Sequence, residues 1–199
     1  MLYLVDNNGT YGLTKGQFSA TNDKGSTSKK GVPNLYEPID LVSLALQLGA
    51  SFVARSFSGD KRQLVPLIKA ALKHKGMAFI DVISPCVAFN NHAGSTKSFE
   101  FVREHMHSAV HADLILGQPE ITADYAEGTQ ENVTMPDGSV LQLYKVDADY
   151  DPYDRVGALT YVQKMHGEGQ VATGLLYIDP DAVESHDIMG TTSQPLNEL

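Results

Sequence analysis

Asp6-Asn7-Asn8-Gly9-Thr10-Tyr11-Gly12-Leu13-Thr14-Lys15-Gly16-Gln17 follows directly on Leu2-Tyr3-Leu4-Val5. The apolar run reads as a buried strand, which puts the polar, glycine-rich stretch at that strand's carboxyl end. Open α/β sheets bind their ligands there. Side-chain amides can offer a hard oxygen to Mg2+, while Gly9, Gly12 and Gly16 let the backbone pass close to an anion and expose its N–H groups. Asn-Asn-Gly is also an ordinary turn signal, so on composition alone a plain connection stays open as a reading.

A chain of 199 residues can bury one sizeable core, and 42% hydrophobic with 20% charged residues is the composition of a globular protein. The formal charge of -9 argues against a nucleic-acid surface, which needs clustered Lys and Arg. Lys29-Lys30 and Lys73 to Lys75 are small basic patches that read as solvated faces. No apolar run reaches the ~18 residues of a membrane span and no basic leader precedes one, so the expected compartment is the cytoplasm. The lone Cys86 cannot form an internal disulfide, nor by itself hold an iron–sulfur cluster, which needs about four such ligands.

Along the chain, residues 18–36 lack periodicity and read as an exposed loop, with Thr21 and Ser26 to Ser28 facing solvent or an anion. Asp40 opens a helix whose Leu41, Leu44, Ala45 and Leu48 form the expected buried face, with Gly49 as its stop. Ser51 to Arg55 reads as a strand. A helix from Asp60 through Leu64, Leu67, Ile68 and Leu72 follows, and then the strand Met77 to Ile83. This alternation predicts an α/β fold with a parallel sheet flanked by helices. Residues 97–110 carry a helical pattern of Phe99, Val102, Met106 and Val110. His107 and His111 have the spacing of a helical metal pair, though no third ligand is near, and His74 stands as isolated as the others. Val133 to Val146 reads as a β-hairpin about Pro136-Asp137-Gly138, Val156 to Met165 as a helix, Val171 to Ile178 as a last strand, and 179–199 as a loose tail.

Asn8 to Gln17, continuing into Phe18-Ser19-Ala20-Thr21, closely resembles the thiamine-diphosphate loop of the β subunit of 2-oxoacid:ferredoxin oxidoreductases, especially the 2-oxoglutarate type. Ala54 to Asp60, Ser84-Pro85-Cys86 and the Asp137-Gly138 hairpin extend the resemblance along most of the chain. It implies a partial thiamine-diphosphate-binding fold with a C-terminal hairpin extension. Residues 1–75 would be the end of the cofactor domain, and 76–199 the C-terminal region of the subunit.

The resemblance further implies Mg2+ held by the Asn8 side chain and the Thr10 carbonyl, with Asn7 as the neighbour if the register slips. Gly9, Tyr11 and Gly12 would line the cofactor. Leu13 would press it into the bent form that brings its amino group to the reactive carbon, and Lys15 would meet the distal carboxylate of 2-oxoglutarate. Cys86 would be one ligand of a 4Fe-4S cluster. The implied reaction is oxidative decarboxylation to an acyl-CoA, with an α subunit, ferredoxin and coenzyme A as partners.

Other features of the family's pattern have no counterpart here: the Gly-Asp-Gly metal ligand, the upstream glutamate machinery and three cluster cysteines. The expectation is therefore a C-terminal portion of a β subunit, inactive alone. Another thiamine enzyme of decarboxylase or transketolase type, or a non-catalytic docking fragment, are the alternatives.

Overall fold

The computed structural model describes residues 1–27, 32–115, 130–134, 138, 140–145 and 149–191. In chain order, β1 (Leu2–Asn7) leads into a small antiparallel ribbon, β2 (Thr10–Tyr11) and β3 (Gln17–Phe18), followed by α1 (Leu41–Gln47), β4 (Phe52–Phe57), α2 (Lys61–Lys73) and β5 (Ala78–Ile83). Then come α3 (Phe99–His105), β6 (Met106–Ile115), the hairpin of β7 (Gln130–Thr134) and β8 (Val140–Lys145), α4 (Arg155–Gly167), β9 (Val171–Ile178) and the short α5 (Ser185–Met189). One seven-stranded sheet has the order β1-β5-β4-β9-β6-β8-β7. The first three strands are mutually parallel; β9 reverses direction against β4, β6 runs parallel to β9, and the hairpin closes the sheet antiparallel. The predicted α/β sheet with a hairpin extension is therefore present, with the reversal at β9 as the added feature. Because β5 lies between β1 and β4, a boundary at residue 75 cuts through this sheet and does not separate two packing units.

The helices start where short polar side chains replace the missing intrahelical partners. Asp40 accepts from Val42 N, Asp60 from Arg62 N and Gln63 N, Ser98 from Phe101 N and Asp154 from Val156 N. Arg55 reaches Asp40 at the head of α1, whereas the next residue, Ser56, donates to Gln63 of α2 at 2.9 Å. Successive strand residues point to opposite faces, so α1 and α2 cover opposite sides of the sheet. α4 packs on α1 and β9. Leu46, Leu67, Ile80 and Leu175 are fully enclosed between these layers, each worth about 1.5–3 kcal/mol of burial.

Several sequence expectations are corrected. The helical pattern of 97–110 breaks at His105: from Met106 the chain is strand β6, because pairing with β9 and β8 outweighs a periodicity that only the first two turns satisfy. His107 and His111 are thus roughly 13 Å apart along a strand and cannot share an ion. On α1 the enclosed residues are Val42, Ser43, Ala45 and Leu46, while Leu44 and Leu48 face outward, as does Leu72 of α2. The β1 run is an edge strand with Tyr3 and Leu4 exposed. Residues 19–27 and 32–36, read as an exposed loop, pack instead, with Thr21, Asn22, Asp23 and Asn34 buried. Part of the expected tail, 185–189, is helical; residues 192–199, Ser28 and Pro136-Asp137 lie outside the described residues. Among the described residues no helix is long and apolar enough to cross a membrane.

His74, read as isolated, is buried at the end of the sheet remote from the loop, 2.8 Å from Ser51 Oγ. Burial lowers its pKa to about 4, against a smaller opposing pull from Asp179. Between about pH 4 and 6.5 the unfolded chain binds a proton here that the native state does not, so stability is full above 6.5 and falls as pH drops toward 4. Unfolding free energies from urea titrations should fall by on the order of 2–3 kcal/mol between pH 7 and pH 4.5 in the wild type. A His74→Gln variant should show a flatter profile; an equal slope in both would place the acid sensitivity elsewhere.

Candidate functional site

Beyond β1 the chain turns at Gly9, whose φ is +69°. A Cβ there would sit 2.6 Å from Asn90 Nδ2 and 3.1 Å from Lys97 Cδ, so glycine is required by both angle and space. The loop is clamped from behind. Asn90 Nδ2 donates to the Asn8 carbonyl at 2.9 Å, and Asn22 Nδ2 and Ser19 N donate to the Gly9 carbonyl at 2.7 and 3.1 Å. Both amides leave their Oδ1 buried without a hydrogen-bond partner, spare acceptor capacity directly behind the loop.

The pairing of β2 with β3 decides which oxygens remain for a ligand. Since Ser19 N bonds to Gly9 O, Thr10 and Phe18 form a non-hydrogen-bonded pair, and Thr10 directs both its N–H and its C=O away from β3. Its N–H donates to Asn8 Oδ1 at 2.9 Å. Asn8 Oδ1, which keeps a second lone pair, and the Thr10 carbonyl therefore face the same side. The chemistry of that pair is hard oxygen at short spacing, which suits a divalent cation.

Asn7 has a different task. Its Nδ2 donates to Asp81 Oδ1 at 3.0 Å and its Oδ1 accepts from Thr21 Oγ1 at 2.7 Å, so the side chain is committed and buried. Asp81, fully enclosed, takes Arg55 Nε on its other oxygen at 2.8 Å, and the Arg55 guanidinium also bonds Asp40. Burial alone would raise the Asp40 carboxyl, but Arg55 and the bonds from Ser43 and Val42 together hold it below the ordinary carboxylate range. Burial would lower Arg55, and Asp81 followed by Asp40 raises it instead. Asp23 ties in the other flank through Thr96 N at 2.9 Å and Lys97 Nζ at 3.1 Å. A cavity of about 160 Å³ lies above this network, reached also by Phe101, His166 and Gln170. The expectation that Thr21 meets solvent is thus replaced by a structural bond.

Of the other residues singled out, Thr10 is buried, and Tyr11 is exposed on the ribbon. Gly12, Leu13 and Lys15 lie in its turn, where Lys15 N bonds the Gly12 carbonyl at 3.1 Å and Lys15 itself has φ +72°. Leu13 is 98% exposed at the tip and touches no core. Cys86 is half-buried in the turn after β5, and its carbonyl accepts from Phe89 N and Asn90 N. No cluster of three His, Cys, Asp or Glu able to hold a metal occurs among the described residues. Sequence reasoning missed Asn22, Asn90 and the Arg55–Asp81 pair. The available signal was a carboxylate inside the apolar run Phe79 to Ile83, opposite an arginine in the neighbouring strand.

Residues 1–82 match the family described as thiamine pyrophosphate enzyme, C-terminal TPP binding domain. Over 92 residues, 46% of the chain, the sequence is 44% identical to the 2-oxoacid:ferredoxin oxidoreductase subunit beta of Sulfolobus sp., of which this covers 30%. This part of the chain is similar in sequence to the oxidoreductase β subunits. A 34% identity over 114 residues, 57% of the chain and 31% of the relative, links it to the 2-oxoglutarate oxidoreductase subunit KorB of Mycobacterium tuberculosis. The chain therefore spans about a third of the length of the curated relatives it matches. The solved structure of the 2-oxoglutarate:ferredoxin oxidoreductase from Magnetococcus marinus, with 2-oxoglutarate, coenzyme A and succinyl-CoA bound, shares the fold. The TM-score is 0.65 at 23% identity, over 100% of this chain and 56% of that one.

The residues of this β-subunit relative fit a metal-anchored thiamine diphosphate. Asn8 Oδ1 and the Thr10 carbonyl share the side of the loop turned away from β3 while the carbonyls of Asn8 and Gly9 are occupied, and the Asn7 side chain is already bonded on both ends.

Proposed function

We propose that this chain provides the carboxyl-terminal part of the cofactor site of a thiamine-diphosphate-dependent 2-oxoacid:ferredoxin oxidoreductase β subunit, of the 2-oxoglutarate type. The observation that supports it is that Asn8 Oδ1 and the Thr10 carbonyl share one side of a clamped loop, away from β3. In this reading those two oxygens hold Mg2+, and Gly9, Tyr11 and Gly12 present backbone to the diphosphate. Leu13 stands exposed to buttress the rings, and Lys15 offers a point charge to the distal carboxylate of the 2-oxo acid. Bound thiamine diphosphate would supply the carbon nucleophile needed to decarboxylate a 2-oxo acid. Cys86 contributes one thiolate to a 4Fe-4S cluster whose three other ligands lie outside this sequence. The whole enzyme adds an α subunit and uses coenzyme A and ferredoxin, in the cytoplasm.

Amide NMR tests the cofactor reading without requiring turnover. Thiamine diphosphate with Mg2+ should shift the signals of Gly9 to Gly12, and chelation should reverse the shift. Asn8→Ala should remove the response while leaving β4 and β5 signals in place. Shifts indifferent to Mg2+ or to Asn8 would defeat the metal assignment, and no response at all would favour a docking role. For the substrate, Lys15→Ala in a complete β subunit carrying this segment should raise KM for 2-oxoglutarate far more than for 2-oxobutyrate. Equal changes would remove Lys15 from the carboxylate clamp.

A further inference from the structure

We propose that the turn from Ser84 to Asn90 is a mechanical link between Cys86 and the loop, with Asn90 as the residue that positions Asn8. What binds the Cys86 thiol is thereby felt at the Asn8 and Thr10 oxygens, and the reverse. That these two ends meet a cluster and a metal rests on the function proposed above; the link between them does not.

The turn follows β5 directly and touches the loop at three points. At its entry Ser84 N donates to the Asn7 carbonyl at 3.1 Å. At its exit Asn90 Nδ2 donates to the next carbonyl along, that of Asn8, at 2.9 Å. Between them the Phe89 ring lies against the ribbon turn, 2.9 Å from the position that a Cβ on Gly16 would take. Cys86 is the hub of this turn. Its carbonyl accepts from both Phe89 N at 3.1 Å and Asn90 N at 2.8 Å, and the buried Pro85 fixes the backbone just before it. The two side chains that reach the loop are thus tied by backbone bonds to the residue that carries the thiol. A displacement of Cys86 reaches Asn8 through Asn90 and Gly16 through Phe89, with no long flexible side chain in between.

Asn90 serves direction more than stability. It is fully enclosed and makes one side-chain bond, while its Oδ1 has no partner among the described residues. One neutral hydrogen bond and one unmatched buried acceptor roughly offset each other. What the bond fixes is the peptide plane between Asn8 and Gly9, and Asn22 Nδ2 and Ser19 N fix the plane that follows. With both planes held, the Asn8 side chain is left to bond Thr10 N and to share its side of the loop with the Thr10 carbonyl. Coupling of this kind is reciprocal: a ligand on the loop must alter Cys86 by as much as a ligand on Cys86 alters the loop.

The test uses the full-length chain and N-ethylmaleimide, which forms a thioether at Cys86, the only cysteine. Alkylation should move the amide signals of Gly9, Thr10 and Gly16 and leave those of β9 in place. In Asn90→Ala the response at Gly9 and Thr10 should be lost and that at Gly16 kept. Without the label, hydrogen exchange at Thr10 and Ser19 should be about tenfold or more faster in Asn90→Ala, with β4 and β5 protection and the urea midpoint unchanged. No movement on alkylation, equal movement with and without Asn90, or a loss of protection spread over β4 and β5 would each overturn the proposal. Should Asn90→Ala not fold, the pattern of shifts in the alkylated wild type decides alone. Mg2+ with thiamine diphosphate should also slow alkylation at least threefold. Failure of that arm while the others hold would remove the cofactor reading and leave the link standing.

Discussion

Asp81→Ala should destabilise the chain by about 3–5 kcal/mol, a large share of the stability of a typical domain. Asp81 is wholly enclosed and uses both oxygens, one on Arg55 and one on Asn7. Its removal leaves a buried guanidinium held only by Asp40, whose side chain is 30% exposed, and strips Asn7 Nδ2 of its acceptor. Asp40→Ala should cost less, because Arg55 would keep its enclosed partner. Urea unfolding of the two variants at pH 7.5, above the His74 transition, makes the comparison. A loss below about 1 kcal/mol for Asp81→Ala would mean that the ion pair contributes little beyond what solvent offers.

The second large effect is expected at Gly174, in β9. Its φ is +94°, and an added Cβ would lie 2.2 Å from the carbonyl oxygen of Val110 in β6. The register of β6 on β9 shifts between Ser108 and Val110, bringing backbone against backbone where no flexible side chain can yield. Gly174→Ala should therefore cost on the order of 3 kcal/mol or more. Gly167→Ala, with nothing within 4 Å of the added carbon, should be near neutral and serves as the control. Thermal melts that failed to separate the two would show that β6 and β9 can part freely at the bulge.

Much of the frame was legible because it is written locally. Asp40 and Asp60 announce their helices, the run to Ile83 announces a strand, and Asp137-Gly138 between apolar runs announces a hairpin. What escaped depends on pairing across distance. Met106 to Val110 fits a helical spacing, and only contact with β9 makes it a strand. Val42 and Leu46 fill the core while Leu44 and Leu48 are exposed, because the face that α1 buries depends on its packing against α4, β4 and β5, which its own spacing does not specify. At the site, Asn8 and Thr10 are joined by a local bond, Thr10 N to Asn8 Oδ1, which the loop sequence carries in itself. Its clamps, Asn22 and Asn90, carry no local signature; they act through backbone carbonyls that any residue would present.

The reversal of β9 has a consequence for how the site can vary. Had the chain continued its parallel course after β4, the turn entering the next strand would open at the opposite end of the sheet, remote from the loop. Because β9 runs the other way, the turn that carries His166 to Gln170 lands on the rim of the cavity over Asp81. Insertions or substitutions in that one exposed connection can alter access to the loop while every strand register stays as it is. The C-terminal half thereby holds a handle on selectivity that is independent of the residues proposed to bind the cofactor.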